Sequence, residues 1–171
     1  MARLHSLELL PDEAGQVAVR RQWQALRDAG LPSQLDHRGS SNAAHVSVVE
    51  APALSSDALD VATARLGSLL PVTAVVGGVL LLGGGGGRVA LARPVQLSDD
   101  MVRRVLAVRV HVPERRHHGW VPHLTLARGL DRSDVPRALE ALGDHDAALE
   151  LRLASLRHWD PDAGEVTDLA R

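Results

Sequence analysis

The stretch Pro122-His123-Leu124-Thr125-Leu126-Ala127-Arg128 decides how this chain is read. Polar and apolar residues alternate along it, which predicts a strand over residues 123–127. Strand side chains point alternately to opposite faces, so Leu124 and Leu126 anchor one face in a core while His123 and Thr125 share the other. The pattern recurs as His45-Val46-Ser47-Val48, inside a β-branched run from Ala44 to Val49. Both read His-x-(Ser/Thr)-x with apolar x, 78 residues apart, one in each half of the chain. Each strand presents an imidazole and a hydroxyl on an open face. One such motif arises easily by chance; two in matching strand contexts point to a shared site.

Working outward, residues 2–10 predict a first strand, and Pro11-Asp12-Glu13 opens a helix that runs to Gly30. Residues 33–43 read as a polar loop. Ser55-Ser56-Asp57 caps a second helix through Leu69. Val72 to Leu82 and Arg88 to Ala92 read as strands on either side of the run Gly83–Gly87. That run lacks the spaced pattern of a phosphate loop and is expected to be a hairpin turn. Ser98-Asp99-Asp100 caps a helix through about Ala107, and residues 112–121 form a Pro/Arg/His/Gly loop. A helix from Ser133 to Leu142 stops at Gly143. A long strand follows from Ala147 to Trp159, then a turn at 161–164 and a closing strand from Glu165 to Leu169. Interleaved strands and helices with several hairpins favour an α+β chain over a doubly wound parallel sheet. Helix, loop and His-bearing strand echo once in each half.

The composition narrows the chemistry. The 171 residues carry a net charge of −2, so an anionic ligand needs a local site rather than a global field. There is no Cys, which excludes disulfides, thiolate metal sites and cysteine nucleophiles. There is no Tyr or Phe, which excludes an RNA-recognition sheet built on aromatic stacking. All 19 basic residues are Arg. No lysine is available for a Walker A loop, a Schiff base or a covalent lysyl-nucleotide. Met1 to Leu10 does not read as a signal peptide, and Pro71 to Leu82 is too short to span a bilayer. The expectation is a cytoplasmic protein without a membrane partner.

The two motifs, the second framed by Pro122 and Arg128, resemble the two-histidine (2H) phosphoesterase superfamily, in particular its bacterial and archaeal group of 2′-5′ RNA ligases or RNA 2′,3′-cyclic phosphodiesterases. The resemblance covers most of the chain. The first motif carries Ser47 where many members have Thr, which keeps the hydroxyl. The fold it implies is α+β and bilobal: two antiparallel sheets with outer helices around a central cleft, in a single domain over residues 1–171. The activity it implies is metal-independent hydrolysis of a 2′,3′-cyclic phosphate, at an RNA 3′ end or on a small nucleotide, with no cofactor.

That chemistry suits the residue types. Opening a cyclic phosphodiester needs a base for water and an acid for the departing ribose oxygen. Two imidazoles can share these tasks near neutral pH. His45 and His123 are therefore the expected catalytic pair, and Ser47 and Thr125 the expected phosphate-binding hydroxyls. By resemblance, a 2′-phosphate product makes His45 the acid and His123 the base.

Further substrate contacts are expected from Arg128, which either meets the phosphate or pairs with Asp131 or another surface acid, and from Arg115 and Arg116 in the basic loop. Trp120 and Trp159 can stack on a base or pack in the core. Trp23 is assigned to packing, and His37 and Arg38 are a fainter basic pair before the first motif. Three other readings stay open: 2′-5′ RNA ligation, the reverse reaction; a module that binds a phosphorylated ligand or RNA end without turnover; and metal binding by His111, His117, His118 and His123.

Overall fold

Short amphipathic segments with capped starts build four helices and eight strands among the described residues. In chain order they are β1 (His5–Pro11), α1 (Glu13–Asp28), β2 (Val46–Ala51), α2 (Ser56–Leu66), β3 (Val72–Val76), β4 (Leu80–Gly83), β5 (Arg88–Gln96), α3 (Asp99–Val110), β6 (His123–Asp131), α4 (Val135–Leu142), β7 (Leu149–Asp160) and β8 (Glu165–Ala170). The computed structural model describes residues 3–39, 41–83, 85–143 and 147–171. The expected first strand is present from His5; its proposed start at residue 2 lies outside the described residues.

Three helix starts follow the sequence signals. Asp12, Ser55 and Ser98 each accept a backbone N–H from the first turn of α1, α2 and α3. Several boundaries differ: β2 begins at Val46, so His45 immediately precedes it, and β5 and β6 run on to Gln96 and Asp131. The apolar run 72–82 is two strands, because Gly78 turns the chain at φ 65° between β3 and β4. The glycine run does join antiparallel partners, with Gly83 facing Val89 across β4 and β5.

The strand pairs are all antiparallel and run in the order β1-β2-β6-β5-β3-β7-β8, with β4 added on β5. A further pairing of β1 with β7 closes the path into a ring. The two sheets expected from the resemblance are arms of this one continuous sheet. The twelve-residue strand β7 runs through both arms. Its first half pairs with β3 from Leu149 to Leu153, and its second half lies between β1 and β8. On the other side the arms meet where β2 and β6 pair at Val46 and Leu124.

Helices α2 and α3 pack together over β2, β7 and β8, and α1 packs with α4 over β6. Beneath them Leu7, Leu9, Val46, Leu124, Leu126, Leu153 and Leu156 are fully buried. Among the described residues no helix is long and apolar enough to cross a membrane.

Candidate active site

The pairing of Val46 with Leu124 brings the two motifs together. Both side chains are buried, so their neighbours His45, Ser47, His123 and Thr125 fall on the opposite face, and all four are half-exposed. Antiparallel register sets His45 beside Thr125 and Ser47 beside His123. The two histidines, each one residue before the Val46–Leu124 pair on its own segment, then lie diagonally across it. The motifs are related by a local two-fold axis through the Val46–Leu124 pair.

The surroundings obey the same two-fold. His45 Nδ1 donates to the Ala43 carbonyl at 2.8 Å, and His123 Nδ1 donates to the Val121 carbonyl at 2.6 Å. A carbonyl only accepts, so each Nδ1 carries a proton and each ring offers Nε2 to a ligand. The carbonyl of Ser47 accepts the Trp120 indole N–H at 2.9 Å, and that of Thr125 accepts the Trp23 indole N–H at 3.1 Å. Each motif is followed by a β-bulge. Val48 and Val49 are both buried on β2, as are Leu126 and Ala127 on β6. The extra residue rotates Glu50 and Arg128 onto the face of the histidines.

Further contacts fix each strand. Gln16 on α1 brackets Ala44 with two hydrogen bonds, holding the backbone just before His45. Arg109 on α3 donates to the carbonyls of Val48, His117 and Gly119, tying β2 to the loop that carries Trp120.

The expected substrate-contact residues are placed differently from one another. Arg128 is exposed on the histidine face, and its alternative pairing with Asp131 is not formed. Arg116 is engaged by Glu50, at 3.2 Å through the side chain and through its backbone N–H. Arg115 is half-buried and donates to the Val112 carbonyl. Trp120 packs against the core. Trp159 lies beside Ser6 in register, in the row next to Arg157 and Glu8, and is half-exposed. His37 and Arg38 are exposed in the loop before the first motif.

His111, His117 and His118 do not gather with His123. The His/Asp/Glu group with ligand spacing among the described residues is His5, Asp160 and Asp162. There His5 Nε2 donates to Asp162 at 3.3 Å, and its Nδ1 meets His158 Nε2 at 3.2 Å. His5 and His158 flank Leu7 in register, on the core side of the sheet, away from the motif histidines.

Sequence reasoning missed an acid beside His45. Glu8 on β1 is opposite Ser47 in register, and its Oε1 lies 3.6 Å from His45 Nε2. Glu8 is buried and paired with Arg157 of β7, whose Nε donates to it at 2.7 Å. Ser6 Oγ also donates to it at 2.7 Å, and Arg157 reaches the Ser41 carbonyl at 2.9 Å. Burial alone would push the Glu8 carboxyl up. The charges of His45 and Arg157, with hydrogen bonds from Ser6 and Arg157, outweigh it and hold the group below its usual range. A charged residue within the apolar strand Ser6–Leu10 is the signal that was available.

The family model of the 2′-5′ RNA ligase superfamily matches residues 15–165. The chain belongs to that superfamily and so to the 2H phosphoesterases, as the two motifs imply. Among solved structures it is similar to TT0787 of Thermus thermophilus, with 16% identity, a TM-score of 0.61 and coverage of 98% of this chain and 95% of that one. It is also similar to Kluyveromyces marxianus Usb1 with uridine monophosphate, at 16% identity, a TM-score of 0.51 and 99% coverage of both chains. A third similar structure is described as a phosphoesterase, at 13% identity and a TM-score of 0.50, covering 97% of this chain and 94% of that one. No curated protein matches the sequence. These likenesses fix the α+β fold, and membership of the superfamily supports phosphodiesterase or ligase-type activity.

Proposed function

We propose that the protein opens 2′,3′-cyclic phosphates, at an RNA 3′ end or on a small nucleotide, by acid–base catalysis from His45 and His123. The observation that carries this reading is the two-fold pair of imidazoles. Each commits Nδ1–H to the carbonyl two residues before it and offers Nε2 on one face, diagonal to the other across Val46 and Leu124. The step adds water across the P–O3′ bond. The water oxygen bonds to phosphorus as its proton passes to His123 Nε2. The P–O3′ bond breaks, and O3′ takes the proton from His45 Nε2. The product is a 2′-phosphate with a free 3′-hydroxyl, and solvent resets the two rings. Ser47 and Thr125 donate to the non-bridging oxygens as charge grows there, and Arg128 adds a cation on the same face. Trp159 supplies a surface for stacking a base. Neither cofactor nor metal has a role in this scheme, so activity persists in EDTA.

The test is incubation with 2′,3′-cyclic mononucleotides and with RNA ending in a cyclic phosphate, resolving 2′- from 3′-phosphate products. His45→Ala and His123→Ala each lower kcat by at least about 10²-fold. Full activity in either variant, or binding without turnover at every pH, would end the proposal.

A further inference from the structure

The two motifs and their backbone anchors are symmetric, but the carboxylate beside one of them is not matched at the other. With Nδ1–H committed to a carbonyl, a neutral ring turns the Nε2 lone pair outward and a protonated ring turns an N–H outward. At His45 that atom faces Glu8 Oε1 at 3.6 Å. A lone pair against a carboxylate is repulsive, and an N–H against it is attractive. At His123 no carboxylate oxygen comes within 4.0 Å of a ring nitrogen among the described residues. Its Nε2 lone pair is free to accept.

The groups facing His45 are Glu8 from β1, Arg157 from β7 behind Glu8, and His123 from β6. Arg157 donates to Glu8 through Nε and is tethered by Ser41, so the carboxylate lies between the guanidinium and the imidazole. Glu8 remains ionised in this setting.

We infer that Glu8 is a positioning residue that divides the labour between the histidines: it favours the charged ring at His45, which makes His45 the proton donor to the departing oxygen and leaves His123 as the base. This rests on the cyclic phosphodiesterase reading above and adds to it a cause for the direction of proton flow. The cause lies outside both motifs.

The experiment is kcat/KM against pH on 2′,3′-cyclic UMP for the wild type, Glu8→Gln and Glu8→Asp. A protonated acid is lost on the alkaline side of the bell and a free base on the acid side. Removing the carboxylate weakens the hold on the donor's proton. The alkaline limb of E8Q therefore moves to lower pH by at least about 0.5, while the acid limb stays in place. E8D restores most of that displacement. An E8Q profile that is lowered without either limb moving would reduce Glu8 to a structural role and overturn the inference. So would movement of the acid limb alone.

Since E8Q leaves the buried Arg157 unpaired, the double variant E8Q/R157M is measured beside it. That variant strands no buried charge and is read by the same criteria if E8Q does not fold. A wild type that turns over no cyclic phosphate defeats the functional reading itself. A wild-type bell with unmoved limbs in the folded variants defeats only the role of Glu8.

Discussion

Val46 lies directly opposite Leu124, and this pairing places both histidines on one face. Strands β2 and β6 diverge on either side of it. The carbonyls just beyond, at Ser47 and Thr125, accept indole N–H groups from Trp120 and Trp23. The site is a junction between two arms of a sheet, and its geometry depends on how that junction is held.

Leu124 is 1% exposed and fills the core beneath the junction. Leu124→Ala is expected to cost about 2–5 kcal/mol, from lost burial plus the cavity left behind. Urea denaturation followed by circular dichroism measures it. A cost of less than about 1 kcal/mol would mean that the junction does not rest on this side chain.

Trp23→Phe and Trp120→Phe keep most of the ring and remove the N–H. Trp23 is 2% exposed, so the Thr125 carbonyl then loses its partner out of reach of water, at a cost of about 1–3 kcal/mol. Trp120 is half-exposed, and water can replace its bond at a smaller cost. In both variants kcat falls more than KM rises, because the backbone of the hydroxyl residue shifts while the binding face is intact. Steady-state kinetics beside thermal unfolding separates the two effects.

The hydroxyls and the exposed cation are tested by exchange. Ser47→Ala and Thr125→Ala each lower kcat by about 10- to 10²-fold, whereas Ser47→Thr and Thr125→Ser retain most activity. Arg128→Ala weakens turnover of an anionic substrate without loss of stability, since Arg128 is exposed and holds no partner among the described residues. Equal activity in Ser47→Thr and Ser47→Ala would remove the hydroxyl from the mechanism.

Two buried groups make stability depend on pH in separate windows. His158 is held below its ordinary value of 6.5, first by burial and then by His5, with Asp160 and Glu8 opposing. Below pH 6.5 the unfolded chain binds the proton that the folded one resists, so stability falls on acidification through this window. His158→Gln flattens that part of the curve. Glu8 is also depressed in the folded state, from 4.5. Its contribution is complete above that value and is lost as pH falls through the lower folded one. Urea midpoints measured from mildly alkaline to strongly acid pH, for the wild type and H158Q, resolve the two windows.

The motifs, the alternation that puts His and Ser/Thr on one face, the helix caps and the hairpin at the glycine run were legible because each depends on residues a few positions apart. Strand periodicity even separated the buried Leu124 and Leu126 from the half-exposed His123 and Thr125. Boundaries were less legible. The break at Gly77–Gly78 depends on which partners β3 and β4 find, and both pair with the same strand, β5.

By itself the sequence determined on which face of each strand the motif side chains lie, since period-two alternation is a local property of the backbone. The tertiary structure decided what stands behind them. Glu8 meets His45 because β1 pairs with β2, and Arg157 meets Glu8 because β7, arriving 149 residues later, pairs with the other edge of β1. The same long-range pairing set the fates of the expected contacts, with Arg116 engaged by Glu50, Trp120 by a backbone carbonyl and Arg128 left exposed. A charge in a strand shows in the sequence. Which charge it faces is fixed by strand register and packing, and those bring together groups that no local pattern connects.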